Sequence, residues 1–174
     1  LAPRVLEGAV HFTICHELDA PVDAVELAVL SPELGPRLAT KVASLESVVT
    51  VEHALRDGEL LRVLRFQASA PLPIFASYPV AKDAMSWEER STYRLSDHAA
   101  TWQVSPKEQW RSYFRSAGTY RLERLPQGRT RRRVEGDLEI RLRLLGPLVE
   151  RMALAEVQRT YDAEADTLRE LLTA

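Results

Sequence analysis

Four histidines, His11, His16, His53 and His98, are the side chains of this 174-residue chain whose ordinary titration falls near neutral pH. His53 has the most suggestive setting. It shares strand parity with Val49, Val51 and Leu55, which places it on an apolar face. A neutral imidazole there can donate to a ligand or accept a proton. A lone inward histidine is also a common structural residue, held by its own hydrogen bonds. His11 and His98 are expected to face water, His98 in a turn. Glu89 shares parity with Trp87 and Ser91. A carboxylate aimed into an apolar space is costly unless it is paired or protonated. Arg62, on the face of Leu60, Leu64 and Phe66, is a candidate partner. The two together could bind a polar head group or polarise a carbonyl. The competing reading is a strand end where both reach water, or a bulge that reverses the register.

Other chemistries find little support. No His/Cys/Asp/Glu spacing of a metal site is present, and no cofactor is expected. The glycines form no phosphate-binding loop, and no nucleophile elbow occurs. Cys15 has no basic helix start beside it and reads as inert. Arg129, Arg131, Arg132 and Arg133 cluster at one hairpin, but Glu135 and Asp137 follow at once, so the cluster reads as a solvated turn. Formal net charge is −2, which argues against nucleic acid as the main partner. No apolar run is long enough for an integral membrane span. With no signal-like start and a single cysteine, a cytoplasmic setting is expected.

The elements that must carry these residues follow from period and punctuation. Val10, Phe12 and Ile14 alternate with polar residues in a first strand, Ala9 to Leu18. Pro21 and Ser31 open two short helices, from Val22 to Leu30 and on to Val42. Strands are predicted over Val49–Leu55, Leu60–Ser69, Met85–Leu95, Ala100–Val104, Trp110–Leu122 and Arg131–Arg143. Asp57-Gly58, Ser96-Asp97-His98 and Pro126-Gln127-Gly128 turn the chain between them. Leu72 to Tyr78, among three prolines, reads as an irregular rim. Leu154, Val157, Tyr161, Ala165, Leu168 and Leu172 then mark one long amphipathic helix to the end. The inward face of Leu60–Ser69 is ambiguous, because Leu61 and Val63 oppose Leu64 and Phe66.

Large and small residues share one sheet face: Trp87, Trp102, Trp110, Phe114, Tyr93 and Tyr120 beside Ser91, Ser112, Ser116, Gly118 and Gly136. Two readings are open. Aromatics beside hydroxyls can line a hollow that holds a ligand. Alternatively the tryptophans fill the space, and the small residues sit where the sheet bends.

The opening Leu18-Asp19-Ala20-Pro21-Val22-Asp23 and the closing run Gly136-Asp137-Leu138-Glu139-Ile140 into Leu145-Gly146-Pro147 resemble the START-like superfamily, to which the birch pollen allergen, polyketide cyclases and lipid-transfer domains belong. The resemblance spans nearly the whole chain and extends to its PRELI-like and actinobacterial members. It implies one α+β domain over residues 1–174 with the helix-grip fold. In that fold a curved seven-stranded antiparallel sheet wraps a long C-terminal helix, and two short helices lie between strands 1 and 2. A hydrophobic cavity between sheet and helix is implied as well, and with it a hydrophobic small molecule or lipid as partner. On this reading Trp87, Trp102, Trp110, Phe114, Tyr120 and Phe66 supply apolar surface. Ser112, Ser116, His53 and Arg62 orient a polar end, Met152 and Tyr161 approach from the helix, and Leu72–Tyr78 with Val22–Val42 forms a gate. The expected function is a carrier or sensor. The alternatives are a cyclase- or dehydratase-type enzyme using His53 or Glu89, and a regulatory interaction domain with a filled interior. Oligomeric state is not encoded in any of these features.

Overall fold

The computed structural model describes residues 9–69, 85–141 and 146–174. In order the elements are β1 (Val10–Leu18), α1 (Val22–Val29), α2 (Leu34–Lys41), β2 (Leu45–Arg56), β3 (Glu59–Ala68), β4 (Ser86–Arg94), β5 (Ala99–Pro106), β6 (Phe114–Leu125), β7 (Arg129–Ile140) and α3 (Gly146–Thr173). The strands form one antiparallel sheet in the order β1-β7-β6-β5-β4-β3-β2, and α3 crosses its concave face. This is the helix-grip α+β architecture. Leu72–Tyr78 lies outside the described residues, as does the run from Leu142 to Leu145.

Local chemistry sets the turns. Asp57 and Gly58 have φ of 52° and 78°, the left-handed pair that a tight hairpin between β2 and β3 requires. Gln127 and Gly128 do the same between β6 and β7, with φ of 63° and 68°.

Register removes the ambiguity in β3. Leu60, Leu64 and Phe66 are buried toward the helices, whereas Val63 lies on the opposite face between Glu52 and Arg90. Those two side chains approach to 3.8 Å, and Val63 is 1% exposed beneath their stems. β2 departs from the expected single face. A bulge between Thr50 and Glu52 leaves Val51 unpaired and reverses parity. Val49 therefore pairs with Arg65 on the outer face, while His53 pairs with Arg62 on the inner one.

The interior is packed at one end. Leu18, Val22, Val25, Val134 and Leu168 are essentially inaccessible where α1 and the C-terminal half of α3 meet the sheet. A second cluster lies under α2, around Leu38, Val48 and Phe66. A third joins Leu138 and Ile140 to Val149 and Ala153 near the start of α3.

Gly118 and Gly136 face each other on β6 and β7, and the indole of Trp102 lies on both. A Cβ at either position would come within 2.6 Å of Trp102 Cζ2. Trp102 is 6% exposed, donates from Nε1 to Thr119 O at 3.2 Å, and tilts against Phe12. The small residues in this row therefore accommodate a ring.

The two glycines should respond differently to substitution. At Gly136 the nearest atoms to the added methyl belong to the side chains of Trp102 and Phe12, whereas at Gly118 the nearest is backbone, Glu135 O at 1.9 Å. Both Gly→Ala changes should cost about 1–3 kcal/mol or more in urea unfolding. In a Trp102→Leu background, the Gly136→Ala cost should shrink and the Gly118→Ala cost should persist. Equal rescue of both would show that the backbone clash is not the limiting contact.

Candidate ligand-binding site

Antiparallel pairing stacks the concave face into rows. One row runs Leu64, Glu89, Val104, Ser116, Leu138; the next runs Arg62, Ser91, Trp102, Gly118, Gly136 and Phe12; a third runs Leu60, Tyr93, Ala100, Tyr120, Val134 and Ile14. α3 faces these rows with Met152, Glu156, Thr160 and Glu164, spaced by four residues and so on one ridge. Between rows and ridge lies a pocket of about 250 Å³.

Among the described residues, the pocket wall includes Trp87, Trp102, Trp110, Phe114, Tyr120, Ser116, Arg62, Phe66, Met152 and Tyr161. Trp87 and Phe66 stack with parallel rings 5.5 Å apart. Val29, Leu30, Leu34, Gly35 and Leu38 close the side under α1 and α2. Ser116 is already engaged, donating from Oγ to Asp137 O at 3.0 Å.

Two expected residues are elsewhere. His53 is exposed and absent from the wall, because α2 covers only the first half of β2 and the bulge carries the rest beyond it. Ser112 is exposed in a turn. Pro106 closes β5, and a single 3-10 turn at Glu108–Trp110 follows, so the predicted strand from Trp110 begins only at Phe114. Trp110 reaches the pocket from that turn.

Glu89 does face the pocket, and it hydrogen-bonds no described residue. Burial first, then the Glu164 carboxylate, push its carboxyl up to about 7, and Arg62 pulls the other way. Arg62 does not pair with it. Its Nη1 donates to Val29 O at 2.7 Å, and its buried Nε has no partner.

Three further polar groups were missed in the sequence. Arg132 is fully buried, not part of a solvated turn. Its Nη1 lies 3.1 Å from Glu164 Oε1, an ion-pair contact short of hydrogen-bond geometry. Its Nη2 donates to Tyr161 O at 2.7 Å and lies 3.1 Å from His16 Nδ1. The guanidinium sits 5.7 Å from the Tyr120 ring centroid and 5.6 Å from that of Tyr161. Burial opposes its charge, but Glu164 and the two tyrosines hold its pKa above the usual value. At the pocket floor, Tyr93 Oη donates to Glu26 Oε2 at 2.6 Å, and His98 Nδ1 lies 2.6 Å from the same oxygen. His98 is thus bound to α1 rather than free in water. Burial, followed by the bond to Glu26, pushes the Tyr93 hydroxyl well up. Strand parity with Val134 was the available signal for Arg132, and helical spacing with Tyr161 and Leu168 the one for Glu164.

Among the described residues no cluster of three metal-ligating side chains forms, and no helix is long and apolar enough to cross a membrane.

The fold is the one seen in solved START superfamily proteins and their helix-grip relatives. The aromatase/cyclase ZhuI of Streptomyces sp. R1128 aligns with a TM-score of 0.66 at 16% identity, covering 95% of this chain and 94% of that one. A START superfamily protein of Mycobacterium smegmatis aligns at 0.62 and 15%, covering 94% and 99%. Ara h 8.0201 aligns at 0.60 and 12%, covering 96% and 100%. Identities this low establish the fold alone. No curated protein matches by sequence. The chain belongs to the family described as "Protein of unknown function (DUF2505)", whose profile matches residues 13–172.

Two stability measurements check these electrostatics. Replacing Arg132 by Met leaves Glu164 buried without its partner and should cost about 3–5 kcal/mol, whereas Arg132→Met with Glu164→Leu should recover most of that loss. An equal cost for single and double variants would mean that packing, not charge, dominates. For Glu89, the folded protein binds more protons than the unfolded chain between the ordinary value of 4.5 and about 7. Stability conferred on the neutral acid is therefore lost as pH rises through that window. Glu89→Gln should match wild type at pH 4 and exceed it by roughly 3 kcal/mol at pH 8. A constant difference in melting temperature across that range would contradict the desolvated placement.

Proposed function

We propose that this protein binds an apolar small molecule between the sheet and α3, as a carrier or sensor. The observation that carries the reading is the wall itself. Trp87, Trp102, Phe66 and Phe114 surround an unfilled space in which only a few polar groups lie exposed. Apolar pockets with sparse oriented polar groups are the common form of small-molecule sites. Close packing is the rule for interiors, and the end of the molecule under α1 obeys it; the space under the first half of α3 does not. At about 250 Å³ it suits a compact ring system or a single short chain better than a two-tailed lipid.

A second reading has one specific support. Glu89 is an acid with a pKa of about 7 on the pocket wall, which suits general acid–base work in a cyclase- or dehydratase-type enzyme. His53 offers no help to that reading, since it lies outside the wall.

Native mass spectrometry of the purified protein should release an apolar compound in near-stoichiometric amount. Val104→Trp, which fills the space from β5, should weaken binding of a fluorescent apolar probe by at least about tenfold while the protein stays folded. No bound compound, together with probe binding unchanged by that substitution, would remove the pocket from consideration.

A further inference from the structure

The charges on the pocket wall do not balance in pairs. Arg132 has Glu164. Among the described residues Arg62 has no carboxylate partner: one nitrogen is used on the Val29 carbonyl, and the buried Nε finds no described acceptor. Glu89, one diagonal step away on β4, makes no hydrogen bond to a described residue either. A guanidinium facing a low-dielectric space is stabilised by an anion, and an unpaired carboxyl beside it can share a proton with that anion.

We propose that the pocket takes an apolar molecule ending in a single carboxylate, which pairs with Arg62 and shares a proton with Glu89, so that binding brings one proton in from solvent. This rests on the pocket being a ligand site. No bond in the ligand is made or broken. Two carboxylates meeting beside Arg62 need one proton between them, which is the reason for the uptake. A terminal amine would meet the Arg62 charge directly. A terminal alcohol would leave that charge uncompensated.

The groups around Glu89 agree with this assignment. Among the described residues, β3 presents Arg62; α3 presents Glu156, Tyr161 and Glu164; Tyr120 on β6 and Arg132 on β7 join Tyr93 on β4 itself as the charged and titratable groups. α1 and α2 turn only apolar residues and Gly35 to the space. Glu164 is taken by Arg132, and Glu156 by Ser44 and Arg159. Among the described residues that leaves Arg62 as the cation open to a ligand. Its field is also felt behind it: burial first, and Arg62 second, lower the pKa of His53 across the strand pair.

Octanoate, 1-octanol and octylamine carry one chain with three ends, and calorimetric titration in two buffers of different ionisation enthalpy counts protons. Octanoate should bind tightest at pH 6 and about tenfold more weakly at pH 8, because the protonated fraction of Glu89 falls by that factor. Proton uptake at pH 8 should approach one per ligand. Glu89→Gln should keep octanoate binding and lose both the pH dependence and the uptake. Arg62→Met, checked for folding by its melting transition, should lose the preference for octanoate over octanol. Tighter binding of octanol or octylamine, or octanoate binding with no uptake at pH 8, overturns the carboxylate assignment while leaving the pocket a ligand site. Binding of none of the three overturns both.

Discussion

A buried arginine cannot stand alone, and the placement of α3 follows from that constraint. Arg132 projects from β7 into an interior with no water to solvate it. Its charge is met by Glu164, and one of its nitrogens, Nη2, donates to the Tyr161 carbonyl, both on the same turn of α3. Tyr120 and Tyr161 hold the guanidinium between their rings. An apolar helix face could roll over a sheet with little change in buried area. A charged contact of this kind admits one rotation. With Glu164 turned to β7, the residues four, eight and twelve positions earlier, Thr160, Glu156 and Met152, must face the open rows of the sheet. The pocket roof is thereby set by a contact whose carboxylate, Glu164, itself lines the pocket.

Below that contact the molecule is divided. Under α1, branched aliphatic side chains interlock in the manner of an ordinary core. Under the first half of α3, rings and a few polar groups surround an unfilled space. An empty volume forfeits dispersion contacts, so it persists only where the rest of the chain supplies enough burial elsewhere. The clusters beneath α1 and α2 and along Leu138 and Ile140 are the parts that do so.

Much of this was legible before any coordinates. Strand alternation placed Trp87, Glu89 and Ser91 on one face, and turn residues located the hairpins, because both signals are local. The missing parts each depend on something a one-dimensional pattern lacks. The bulge in β2 is an insertion of one residue with no distinctive composition, so Val49, Val51 and His53 read as one face when they are not. Trp110 reads as strand because its neighbours alternate, although the chain makes one 3-10 turn there. Arg132 was hidden by its flanking arginines: its parity with Val134 pointed inward, but only its partner on a distant helix makes that burial tolerable. Tyr93 is farther still in sequence from Glu26, which holds its hydroxyl.

Trp102 can lie against the sheet because neither Gly118 nor Gly136 carries a Cβ beneath its ring. The depth of the pocket is therefore measured from behind its visible wall. Side chains beneath the ring would lift it toward α3 and shorten any ligand the space could take; a smaller residue at 102 would lower the floor without touching the roof. These three positions act as a gauge. In any chain of the same fold they could be read together, ahead of the lining itself, to rank relatives by the depth of the space between sheet and helix.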